Sequence, residues 1–115
     1  MKDERKEILE NNAKEYFLSG EEELKKNRYN SSVVLFFKAL IAMVDLFILE
    51  KEGDAPSSHT SRFRTLEEKF PEIYDLVDKD FPFYQDSYVQ SMSKELAEVI
   101  RYDAKVMAEK IKIKL

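Results

Sequence analysis

The chain has no cysteine, one histidine, two glycines and three prolines among 115 residues. Each scarcity excludes something. Without cysteine there are no disulfides and no thiolate metal sites. One histidine excludes a histidine-rich metal centre within one chain. A carboxylate-only Mg²⁺ site stays open but has no motif here, and no cofactor is expected. An all-β domain needs frequent tight turns, so the shortage of glycine and proline favours long helices with few connections. A basic stripe is missing too. Acidic side chains outnumber basic ones 23 to 19, for a net charge of −4. Binders of nucleic acid draw affinity from displacing counterions off phosphates, so nucleic acid is not an expected partner. The tail from Lys110 to Leu115 holds three lysines and reads as a helix end whose cations favour the negative end of the dipole.

Hydrophobic residues make up 43% of the chain and charged residues 37%, which fits one soluble globular domain over residues 1–115. The segment Met1-Lys2-Asp3-Glu4-Arg5-Lys6 offers no apolar core for a signal peptide. The dominant feature is the apolar run Val33–Leu49. It is short for a membrane span and carries Lys38 and Asp45, each costing about 2.5–3.5 kcal/mol at a bilayer centre. It reads as a buried helix in a cytoplasmic protein, with no membrane partner.

The helical spacing predicts a first helix from an Asp3 N-cap to about Lys26, with Ile8, Tyr16, Phe17, Gly20 and Leu24 along one face. Ser19-Gly20-Glu21-Glu22 resembles a capping box that would restart the helix. Continuity is the preferred reading, with Gly20 admitting a close neighbour. Asn27–Asn30 reads as a turn ending in an N-cap, and a second helix follows from Ser31 to Glu52, stopped by Gly53. That helix is apolar nearly all round, which predicts cover from a second subunit and a two-fold dimer. Thr60 or Ser61 is expected to cap a third helix, Arg62 to Phe70. Pro71 opens a short fourth, Glu72 to Asp78. Asp80-Phe81-Pro82-Phe83-Tyr84 reads as an aromatic connector. Ser93 caps a last helix to about Ile113, with Leu96, Ile100, Met107 and Ile111 as its stripe. The expected fold is all-α, an up-and-down bundle of four or five helices whose first two are long and antiparallel.

Two long helices, a Gly-x-x-Pro-x-x-His loop (Gly53, Pro56, His59), shorter helices and a final long helix resemble a HEPN domain. The similar segments are Glu21–Asn30, Ser31–Gly53, Pro56–His59 and Tyr84–Tyr88, and they span most of the chain. The resemblance implies a helical bundle that commonly dimerises. Its members include RNases, partners of small nucleotidyltransferase-like proteins, and proposed nucleotide binders. The RNases carry Arg-x4–6-His. Here the positions five to seven before His59 are Glu52, Gly53 and Asp54, and no such motif exists elsewhere in the chain. RNase activity is therefore not carried over.

The candidate ligand-binding residues are Lys38, Asp45, His59, Arg62, Arg64, Tyr84 and Tyr88; no catalytic or metal-binding residue is assigned. Lys38 and Asp45 lie two turns apart and project from nearly the same side of an apolar helix. Charges rarely enter such a surface unpaired, so Asp45 is expected to be buried and bonded within the bundle. His59 reads as a ring fastening its loop, or as a ligand contact or acid–base group. Arg62 and Arg64, with His59 and Lys69, form a basic cluster that is read chiefly as surface pairing with Glu67 and Glu68, and secondarily as a phosphate site at a helix start. Tyr84 and Tyr88, beside Phe81 and Phe83, pack the bundle or stack on a base. The leading expectation is a dimeric, non-catalytic binding module for a nucleotide or a nucleotidyltransferase-like partner. An RNA- or nucleotide-processing enzyme with its site at the dimer seam, and a structural interaction protein, are the alternatives.

Overall fold

The Asp3 carboxylate accepts the Arg5 backbone N–H at 2.9 Å and so starts α1, Glu4–Lys25, in a computed structural model that describes residues 3–115. Met1 and Lys2, the first residues of the segment read for a signal peptide, lie outside the described residues. α1 runs unbroken through Ser19-Gly20. Gly20 allows the Phe36 ring to approach so closely that a Cβ there would sit 2.7 Å from it. Ala13, Phe17 and Gly20 form the buried line of the helix. Ile8, expected on that line, is exposed. Five residues from Ala13 turn it about 140° off the contact line.

α1 ends in a tight turn at Asn27, whose positive φ of 59° is tolerated better by asparagine than by most residues. α2 then spans Tyr29–Glu52, with no side-chain cap from Arg28. Asn30 is thus inside the helix rather than its cap. Its amide donates to the carbonyls of Ser87 (2.9 Å) and Gln90 (2.7 Å), and its oxygen accepts the Met92 N–H at 2.9 Å. A residue type suited to capping instead pins the connection that follows the fourth helix. Gly53 closes α2 in the left-handed region, its N–H on the Leu49 carbonyl.

α3 (His59–Lys69) begins earlier than expected. Ser58, not Thr60 or Ser61, is the cap, because Ser58 and Ser61 bond each other's backbones in a capping box. α4 spans Pro71–Asp86, so the expected connector at Asp80–Tyr84 is helical. Pro82 sits inside it and removes one backbone bond at a cost of about 3 kcal/mol. The aromatic residues around it offset that cost: the Phe37 ring stacks on Tyr84 at 4.7 Å and lies 6.0 Å from Phe81. α5 is Lys94–Ile111, with Ser93 capping the Leu96 N–H.

One core cluster draws on all five helices, and no strand occurs among the described residues. α2 is its axis, with α1, α4 and α5 packed against it. About 72% of its most apolar stretch is buried inside the single chain. The cover that was expected from a second subunit is therefore largely intramolecular: the small residues Ala97, Ala104 and Ala108 let α5 come in close.

Candidate functional site

Asp45 lies mid-way along α2, on a face that meets the start of α3. Opposite it, the capping box at Ser58 fixes the first turn of α3 and with it the side chains of His59 and Arg62, three residues apart on one helical face. The Arg62 guanidinium grips Asp45 with two bonds, Nε to Oδ1 at 2.6 Å and Nη2 to Oδ2 at 2.8 Å. Both side chains are nearly buried, at 9% and 13% exposed. Asp45 is thus buried and bonded as expected, and its partner is Arg62. The expected surface pairing of Arg62 with Glu67 and Glu68 does not form. Lys69 pairs with Glu52 instead, and Arg64 makes no ion pair among the described residues. These cations sit where the helix rotation of α3 carries them, and that rotation is set by the cap at Ser58.

The remaining Arg62 nitrogen, Nη1, lies 2.8 Å from Nδ1 of His59. A guanidinium only donates hydrogen bonds, so Nδ1 must present its lone pair and the ring proton sits on Nε2. A protonated imidazole would set two donors against each other here. Partial burial, then the Arg62 charge, holds His59 below its ordinary value of 6.5, with Asp45 opposing and Lys38 adding to the shift. His59 is therefore a neutral ring that offers an Nε2–H donor, not a base.

These groups border a groove of about 260 Å³ lined by Leu9 and Tyr16 of α1, Phe37, Lys38, Ile41, Ala42 and Asp45 of α2, His59 and Arg62 of α3, and Tyr84 of α4. Lys38 is exposed at its rim and makes no ion pair among the described residues. With two cations, one carboxylate and a neutral imidazole, the groove carries a net positive charge. Its walls are tyrosine and phenylalanine rings. The Tyr84 hydroxyl is 2.9 Å from that of Tyr88, and this bond, with burial, pushes Tyr84 up to about 12, so the Tyr84 hydroxyl remains a neutral donor or acceptor at physiological pH. Tyr88 itself is well exposed beyond the rim.

Five of the seven candidate residues thus share one groove, Lys38, Asp45, His59, Arg62 and Tyr84, with Tyr88 bonded to the last of them. Arg64 does not join them. It lies on the far side of His59 and Phe81, in a wider open depression shared with Thr60, Phe63, Glu67 and Glu68, where acidic side chains oppose its charge. Tyr16 and Leu9 were missed as groove residues. Helical spacing alone puts Tyr16 at a core position, and only the pairing of α1 with α2 shows that it borders a cleft.

A second polar cluster was also missed. Asp80 of α4 is fully buried and Asp103 of α5 is 3% exposed, with Lys79 Nζ 2.8 Å from Asp103 Oδ2. Asp103 stands between Ile100 and Ala104 on the inward stripe of α5, and that position was the available signal. Asp80 was hidden by the expected connector. Once α4 is continuous, it follows Ile73 and Val77 on the buried face.

The chain matches no family model, no curated protein and no solved structure.

Proposed function

We propose that the chain is a HEPN-like helical module without catalysis of its own, and that the groove between α1, α2, α3 and α4 takes a nucleotide. The single observation behind this reading is the convergence of Lys38, His59 Nε2–H and the Tyr16 and Tyr84 rings on one net-positive groove. The donors suit phosphate or carbonyl oxygens, and the rings suit the face of a base. The groove is open and lies near the lower end of ligand-site volumes, which fits a ligand held along one edge rather than engulfed. Against a catalytic reading, the one histidine has its basic nitrogen occupied by Arg62, and a general base must be free to take a proton. A thermal-shift series with nucleoside mono-, di- and triphosphates tests the proposal. A ligand at 100 times its Kd adds about 2.7 kcal/mol of stability. No shift with any nucleotide would remove the binding reading.

A protein partner is the second reading, favoured by a separate observation. Val99, Tyr102 and Val106 form an exposed stripe along α5, away from the groove. It is a face on which a second copy, or a nucleotidyltransferase-like protein, could sit. Sedimentation showing a monomer at micromolar concentration would exclude the homodimer.

A further inference from the structure

We propose that Asp80 and Asp103 share one proton inside the bundle, and that this proton is a latch holding α4 against α5. Its loss would loosen the helix that carries Phe81 and Tyr84.

Both oxygens of Asp80 and Oδ2 of Asp103 are sealed from solvent. The oxygens of Asp80 find no N–H or hydroxyl donor among the described residues. Two buried carboxylates in contact would be strongly unfavourable, and a bare buried acceptor is costly as well. One proton removes the charge repulsion and gives one Asp80 oxygen a bond to Asp103, because a carboxylic acid donates where a carboxylate only accepts. The two carboxyls adjoin, since Asp80 Oδ1 and Asp103 Oδ2 both lie within 4.0 Å of the same Lys79 ammonium. Lys79 selects which of them holds the proton. Its ammonium is 2.8 Å from Asp103 Oδ2 but 4.0 Å from Asp80 Oδ1, so the anion sits on Asp103 and the proton on Asp80. Burial above all, then the bond to Asp103 and its charge, raises Asp80 to about 8, with Lys79 opposing. The charged groups acting on Asp80 are Asp103 from α5 and Lys79 from its own helix; α2 and α3, which also pack on α4, contribute none. The position gives the latch its reach. Asp80 precedes Phe81, whose ring lies 5.1 Å from His59 and 5.3 Å from Phe63, and Tyr84 of the groove wall follows one turn later. The consequence for the groove rests on the binding reading above; the latch between α4 and α5 does not.

The test therefore uses no ligand. Urea unfolding of the wild-type chain and of Asp80→Asn is compared from pH 5 to pH 9. The asparagine amide still donates to Asp103 but cannot ionise. Asp80 has a higher folded than unfolded value, so its contribution is fully present below the unfolded value and is lost as pH rises through the folded one. The wild-type folding constant relative to the variant should fall by up to tenfold per pH unit, then level above about pH 8. In the wild-type chain, carboxyl ¹³C NMR should show one aspartate titrating near pH 8, with backbone signals of α4 around Phe81–Gln85 shifting in step. The carboxyl spectrum decides alone if the variant does not fold. The proposal is overturned if every aspartate ionises below pH 6, if the stability ratio is flat with pH, or if the α4 signals ignore the titration.

Discussion

Removing the Asp45 carboxylate is expected to destabilise this protein more than any other single loss of charge outside the Asp80–Asp103 pair. In Asp45→Ala the Arg62 guanidinium keeps its place in the bundle, 9% exposed on its side chain, but loses both of its carboxylate bonds. His59 Nδ1 is its one other side-chain partner among the described residues, and that ring carries no charge to balance it. Breaking a nearly buried pair from one side typically costs about 3–5 kcal/mol, because the surviving charge stays desolvated. At roughly 4 °C per kcal/mol for a domain near this length, the melting temperature should drop by about 12–20 °C. The pair itself need not be worth that much. Replacing both partners with apolar groups is often neutral, so Asp45→Ala combined with Arg62→Met should recover a large part of the loss. Urea unfolding of the wild type, both single variants and the double variant gives the coupling directly. If Asp45→Ala costs less than about 1 kcal/mol, or if the two single losses simply add, then Arg62 is not held by Asp45 and the base of the groove has been misread.

Gly20→Ala gains up to about 1 kcal/mol of helix propensity but drives a methyl into Phe36, an overpacking cost of about 1–3 kcal/mol. A net loss of stability is expected by calorimetry, and a gain would mean that α1 and α2 are not in close contact. Asn30→Asp turns the donors that meet the Ser87 and Gln90 carbonyls into a repelling oxygen, so it should cost more than Asn30→Ala, with loosening visible as faster amide exchange at Ser87–Met92. Equal costs for the two would show that the amide donors contribute nothing. His59 should titrate below 6.5 by ring NMR, as the Nε2–H tautomer, and should titrate higher in Arg62→Met. Because its folded value is depressed, its contribution to stability is present above the unfolded value and is lost as pH falls through the folded one. A folded-state titration above 6.5 would contradict the Arg62 contact.

The helices were readable from the sequence where periodicity and end signals agreed. Asp3, Gly53 and Ser93 mark their termini as expected, and Gly20 serves close packing. The misreadings share a cause. Local chemistry was outweighed by contacts between elements distant in sequence. Pro82 looked like a break, yet Phe81 and Tyr84 gain more by packing on Phe37 than the helix loses. Asn30 looked like a cap, yet its amide serves a loop about sixty residues away. The all-round apolar surface of α2 shows that the helix must be covered, but length alone does not show that α1, α4 and α5 supply much of that cover from within the chain. At the site, the burial of Asp45 was legible because an acid on an apolar helix needs a partner. That the partner is Arg62 was not legible, because it depends on the rotation of α3, and one residue's change at the cap turns that helix by about 100°.

The groove beside His59 is proposed to bind a nucleotide through Lys38 and the tyrosine rings. The most direct measurement is an NMR titration of the labelled chain with the nucleotide that gives the largest thermal shift, run in parallel on Lys38→Glu, a change at an exposed rim position that leaves the core intact. Saturable shifts at Tyr16, Lys38, Ile41, His59 and Tyr84 in the wild type, lost when Lys38 is reversed in charge, are the predicted result. Shifts mapping to another surface, or a titration that Lys38→Glu leaves unchanged, would contradict it.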